Sequence, residues 1–186
     1  LLNRSSDLTP SLQSLNCDIL LVQPPIRDFY LTAKRTIPYG LASIAAALNT
    51  TGFSVQILDA LATNKARKRS LPKEMSYLQP YYGRPDRSPF ALFHDYKHFG
   101  YSFDTIGQRV KAAQPFLVGI SSLFTAYATE VTRTAEAIKA RHPECKIVVG
   151  GHHPTVLPAQ VMASPAVDVS ICERRPMIPR LGTSNS

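Results

Sequence analysis

Cysteine is scarce in this chain. Its 186 residues hold only Cys17, Cys145 and Cys172, each isolated. Without a Cys-x-x-Cys pair they offer neither zinc-site nor iron–sulfur spacing, and such low usage fits a reducing cytoplasm. Long apolar runs are also missing: residues 18–22 and 116–120 are apolar but interrupted by polar residues well short of a membrane span. Residues 1–16 are rich in Ser, Leu and Asn but lack a basic start followed by an apolar core, which excludes a secretory signal and leaves a loose leader. There is no Gly-x-Gly-x-x-Gly fingerprint and no phosphate loop ending in Gly-Lys-Ser/Thr, so dinucleotide and nucleotide-hydrolysing chemistry is not indicated. Gly119-Ile120-Ser121-Ser122-Leu123 lacks the second glycine of a nucleophile elbow, which removes support for a serine hydrolase.

Acidic residues are outnumbered, 13 against 21 Lys and Arg, for a formal charge of +8. Six of the eight net charges lie between residues 62 and 111, and Lys65-Ala66-Arg67-Lys68-Arg69 carries much of that excess. Basic residues interleaved with tyrosines can hold phosphates and stack bases, but one short basic run is more often a solvated loop, so nucleic acid is not the expected partner. With 44% hydrophobic residues the chain can bury one core.

Residues 17–22 form a short apolar run, as in a strand covered on both faces, and Gln23-Pro24-Pro25 then forces the chain out of the sheet. After Pro38, the spacing of Leu41, Ile44, Ala45 and Leu48 predicts an amphipathic helix that Gly52 terminates. Strands are expected at 53–59, 116–121, 145–149 and 167–171. Helices are expected after Ser102, as an N-cap for Phe103, Ile106 and Val110, and along Tyr127, Val131, Ala135 and Ile138. This alternation predicts an α/β domain over residues 17–172: a flavodoxin-like, doubly wound parallel sheet of about five strands, with helices on both faces. Residues 60–101 read as an irregular aromatic and basic insertion, and 173–186 as an irregular tail.

Ligands of such sheets bind at the carboxyl ends of the strands, which selects the loops after Val22, Leu58, Ser121 and Val149. Gly150-Gly151-His152-His153-Pro154-Thr155 is the most informative. Its glycines either admit a ligand close to the backbone or serve a tight turn, and its histidines either ligate and titrate or hydrogen-bond within the loop. The segment Ser121, Ser122, Leu123, Phe124 and Thr125 offers the hydroxyls of its serines and threonine at the same edge, with Thr125 expected to cap the following helix. Asp59 can take a ribose hydroxyl or cap a turn. His94 and His98 would share a side if their segment were helical, but read as surface or packing histidines.

In order along the chain, residues 18–25, 38–45, 55–60, 118–121 and 148–155 resemble the N-terminal cobalamin (vitamin B12)-binding domain of cobalamin-dependent radical S-adenosylmethionine enzymes. The resemblance implies a flavodoxin-like fold that holds the corrin and its nucleotide tail on the loops of Pro24, Pro25, Ser121 to Thr125 and Gly150 to Thr155. It also implies a downstream barrel that binds a [4Fe–4S] cluster and S-adenosylmethionine. No Asp-x-His-x-x-Gly run is present, so no histidine is assigned to cobalt. Ile171-Cys172-Glu173-Arg174-Arg175-Pro176 stands where the family has a Gly-Glu-Gly-Glu turn, and the Cys-x-x-x-Cys-x-x-Cys motif is absent. The expectation is a cofactor-binding module that does not turn over alone: a fragment, a truncated frame or a stand-alone remnant. The alternatives are an FMN- or nucleotide-binding flavodoxin-like domain and a basic surface that binds nucleic acid or another partner.

Overall fold

The computed structural model describes residues 16–30, 37–80, 95–172 and 175–177. Five parallel strands form the centre: β1 (Ile19–Gln23), β3 (Val55–Asp59), β6 (Leu117–Ser121), β7 (Lys146–Gly150) and β8 (Val169–Cys172). Their order is β3-β1-β6-β7-β8, with Ile19 opposite both Val55 and Leu117, and Val148 opposite Val169. The expected parallel α/β sheet is therefore present, and strand order reverses at β1, between β3 and β6. A short strand, β9 (Arg175–Met177), pairs antiparallel with β8, so the carboxy-terminal segment read as irregular adds an edge to the sheet.

Three helices follow the sequence periods closely, and two short ones come after them. Helix α1 (Tyr39–Asn49) buries Leu41 and Ala45 against Ile19 and Leu21. Helix α2 (Phe103–Ala113) starts at Ser102, whose hydroxyl accepts the Thr105 N–H at 3.1 Å. That bond satisfies one orphan donor of the first turn. Helix α3 (Ala128–Arg141) buries Val131, Ala135 and Ile138, one stripe at helical spacing. After β7 come the short α4 (His152–Val156) and then α5 (Pro158–Met162), which opens on a proline, a residue suited to that position.

The helices lie on both faces of the sheet, as expected, but unevenly. One face of the sheet presents Leu20, Val22, Leu58, Val118, Ile120, Ile147 and Val149 to Ile106, Val110, Val131 and Ile138 of α2 and α3, and Val161 of α5 joins the same core. The other face has only α1, over β1 and β3. Among the described residues no helix covers the second face of β6, β7 and β8. After β8 the chain turns back as an antiparallel strand rather than crossing over, so the helices lie on both faces, as expected, but unequally.

Residues 60–101 are not wholly irregular. Strand β4 (Ala66–Lys68) and strand β5 (Lys97–Phe99) join β2 (Ile26–Asp28) in a second sheet of order β2-β5-β4, with Phe99 opposite Ile26 and Ala66. A 3-10 turn occupies Lys73–Leu78. Phe99 is fully buried with Ile26 and Leu61 in a core of its own. The prolines after β1 thus pass the chain from the large sheet to the small one.

Candidate functional site

A groove of about 960 Å³ opens on the bare face and runs to the carboxyl ends of β1 and β6. Its volume is at the upper end of the roughly 300–1,000 Å³ usual for small-molecule sites. The floor is the outward set of strand residues, Leu21 and Gln23 of β1, Gly119 and Ser121 of β6, Gly150 of β7 and Ile171 of β8. One wall is α1, through Tyr39, Gly40 and Ile44; the other is the loop after β6, through Leu123, Phe124 and Tyr127. Tyr39 and Phe124 are 72% and 62% exposed, so the walls present aromatic surface that nothing in the described chain covers. No described lining residue is charged.

The two adjacent glycines differ in role. Gly151 has φ 124° and ψ −168°, a region open essentially to glycine alone. A Cβ there would stand 2.5 Å from the Ser122 carbonyl oxygen. Gly151 is therefore required by the packing of the β7 loop on the β6 loop, which Ser122 N–H to Gly150 O (2.8 Å) and His153 N–H to Ser122 O (3.1 Å) complete. A Cβ at Gly150 would meet nothing nearer than Ile171 Cβ at 4.0 Å. No packing demand explains that glycine, and its bare backbone forms part of the groove floor.

Of the residues selected from sequence, Pro24, Ser121, Ser122, Leu123, Gly150 and Gly151 come together on the groove. Ser122 is buried, and its hydroxyl has no hydrogen-bond partner among the described residues. Leaving such a group unmet costs on the order of 1–3 kcal/mol. The other six stand outside the lining. Pro25 is fully buried behind the loop, and Pro154 is buried in α4. His153 is also buried, its Nδ1 lying 3.2 Å from Thr125 Oγ1, and burial pushes its imidazole below the usual range, towards the neutral form. His152 is exposed, and Thr155 donates its hydroxyl back to Gly151 O at 3.0 Å. Thr125 makes no cap: neither the 3-10 turn at Thr125–Tyr127 nor α3 has a side-chain cap bond, because the Thr125 hydroxyl is turned to His153.

Asp59 accepts the Leu61 N–H at 2.8 Å, the turn-capping role, and burial raises its carboxyl pKa against those turn bonds. His98 lies in β5, not a helix; it is buried edge-on to Phe103 with Nε2 3.0 Å from Tyr101 O, and His94 lies outside the described residues. Among the described residues no three His, Cys, Asp or Glu side chains gather as a metal site. No described helix is long and apolar enough to cross a membrane.

Sequence reasoning missed the α1 wall, the Ile171 floor and Tyr127. A glycine inside strand β6, Gly119, was the available signal, since strand glycines often mark close approach of a ligand. Tyr127 donates its hydroxyl to Asp28 Oδ2 at 2.5 Å, and Arg27 Nε pairs with the buried Glu130 at 2.9 Å. These contacts fasten the small sheet to the amino end of α3. Burial raises the Glu130 carboxyl pKa, against the opposing pull of Arg27 and Arg133.

Residues 92–181, just under half of the chain, match the B12 binding domain family model. The resemblance to a cobalamin-binding domain is thereby borne out over those residues. It is also 29% identical over 151 residues to cytidylyl-2-hydroxyethylphosphonate methyltransferase of Streptomyces wedmorensis. That match covers 81% of this chain but 25% of the relative, so the chain spans a quarter of that protein's length.

Proposed function

We propose that this B12-binding-domain chain holds a cobalamin across the open face of its sheet and positions it for chemistry completed by a radical S-adenosylmethionine barrel. One observation carries the reading: the glycine-floored, uncharged groove lies at the point where strand order reverses, on the one sheet face that no described helix covers beyond α1. The residues present suit the group. Gly119 and Gly150 keep the floor low, the aromatic walls can take a flat macrocycle or a heteroaromatic tail, and the unmet Ser122 hydroxyl can bond an amide.

When bound, the cobalt would carry a methyl group or take part in radical chemistry. The chain's own share is binding and orientation, the protein's usual part in cofactor chemistry. The Gly151–Ser122 packing fixes the two strand-end loops relative to each other, and the α1 and β6-loop walls flank the floor. The relative is a methyltransferase by name, which favours methyl transfer. The iron–sulfur cluster and S-adenosylmethionine that the resemblance implies would belong to that barrel, in cis or in trans.

Incubating the full chain with hydroxocobalamin and desalting tests this directly. The expected result is a retained red corrin spectrum, lost in Gly150→Leu while the circular dichroism spectrum is unchanged. Retention of FMN fluorescence, with no corrin retained, would overturn the reading in favour of a flavin site.

A further inference from the structure

Apolar groups dominate the groove, so its few polar groups decide which ligand atoms it accepts. Two of them, Tyr30 and Tyr127, stand on the side of the small sheet. Tyr127 gives its proton to Asp28 Oδ2, and the other carboxylate oxygen, Oδ1, accepts the Phe29 N–H at 2.7 Å. Tyr30 is hydrogen-bonded to Tyr127 and belongs to the same group. A carboxylate that accepts on both oxygens has no proton to offer. The group therefore contains two phenol protons, at least one already spent inside it, against four oxygens. Burial, with the bonds to Asp28 and Tyr30, keeps the Tyr127 proton in place far above the ordinary phenol range. Arg27, beside Asp28 in β2, is not part of the groove lining: its Nε pairs with Glu130, its guanidinium lies 5.9 Å from the centre of the Phe103 ring, and its Nη2 is buried without a hydrogen-bond partner among the described residues.

From this we infer that Asp28 acts as a positioning residue that turns the Tyr127 hydroxyl into an acceptor, and that this wall recognises an N–H donor, a primary carboxamide on the rim of the corrin. The inference rests on the cofactor reading above. It adds a polarity to that reading: a neutral carboxamide is accepted where a carboxylate, lacking a donor and facing Asp28, is refused.

Hydroxocobalamin and its isomeric monocarboxylic acids, each with one carboxamide replaced by a carboxylate, separate the two claims. The wild-type full chain should bind hydroxocobalamin and at least one of the acids about tenfold or more weaker, the scale of an acceptor left without its donor. In Tyr127→Phe that gap should close to within about twofold. Asp28→Asn, which places an N–H donor beside the phenol, should narrow the same gap. Loss of packing alone would weaken all the corrins together, and so would leave the ratio between amide and acid unchanged. An unaltered ratio in both variants, or no discrimination by the wild type, overturns the assignment while leaving the cofactor reading intact. Failure of the wild type to retain any corrin overturns the cofactor reading, and this assignment with it.

Discussion

The two faces of the central sheet are made from the same strands, residue by alternate residue, yet they are finished differently. Val118, Ile120, Ile147 and Val149 point to one face and are almost completely buried under α2 and α3. Gly119, Val148, Gly150 and Ile171 point to the other and line the groove, with Ile171 50% exposed. Strands with one solvated face normally alternate apolar with polar residues, whereas strands covered on both faces stay apolar throughout. Strands β6, β7 and β8 have the second kind of sequence and, on the groove side, the first kind of exposure. The difference marks the open face as a surface whose cover is supplied from outside these strands, and the proposed cofactor fills that place.

The comparison breaks most sharply on the closed side. Ile147 is fully buried within the core. Ile147→Ala removes buried methylenes and leaves a cavity that α3 and β6 cannot fully close, so about 2–5 kcal/mol of stability should be lost. Chemical denaturation would show this as a lower midpoint at unchanged slope. An effect below about 1 kcal/mol would mean that the two faces are not energetically distinct.

Next in size is Gly151→Ala, at the junction of the faces. Its backbone is one that only glycine adopts comfortably, at a cost of about 1–3 kcal/mol for another residue, and the added Cβ would press on the Ser122 carbonyl. Stability and corrin retention should fall together. In Gly150→Leu only retention should fall, because that site has open space.

The faces also differ in what pH can reach. Buried His98 and His153 both have pKa values lowered chiefly by desolvation. The unfolded chain therefore takes up protons first as pH drops through about 6.5, and stability is lost progressively between that value and the lower folded pKa values. Glu130 opposes this. Its folded pKa is raised mainly by burial, so it adds stability as pH falls from that raised value towards the ordinary carboxylate range. Denaturation midpoints should drop from pH 7.5 to pH 6, and His153→Gln should flatten part of that slope. An unchanged slope in His153→Gln and His98→Gln alike would show that neither imidazole is held neutral.

The strand and helix alternation was legible because each element carries its own period: the stripe of Val131, Ala135 and Ile138, the cap at Ser102, the apolar runs of β1 and β7. The small sheet was not. Its strands are three residues each, too short to show a period, and they pair across long stretches of chain, Ile26 with Phe99 and Ala66 with Phe99. The Asp28–Tyr127 bond spans 99 positions, and no local pattern announces it. Half of the selected loop residues reached the groove because strand ends were correctly located. The other half did not, because the direction of a loop side chain such as His153 is set by α4 packing on β8, not by its neighbours in sequence. The bare face escaped notice for a related reason: the apolar composition of β6, β7 and β8 predicts that something covers both sides and is silent on what.

The smallest expected effect on the fold gives the sharpest test of that cover. Ile171→Thr replaces a branched apolar side chain by one of similar shape that carries a hydroxyl. In a closed core such a change strands an unpaired polar group and costs on the order of 1–3 kcal/mol. At Ile171, half exposed over the groove, water satisfies the hydroxyl and little buried area is lost, so stability should change by no more than about 0.5 kcal/mol. Corrin retention should nonetheless weaken, since in the bound state the same hydroxyl would be pressed against an apolar surface with water excluded. If hydroxocobalamin stabilises the wild type in thermal melts and stabilises Ile171→Thr less, the floor of β8 is part of the ligand's contact surface. Equal stabilisation of the two proteins would confine the ligand to the strand-end loops, and the open face would then need another occupant.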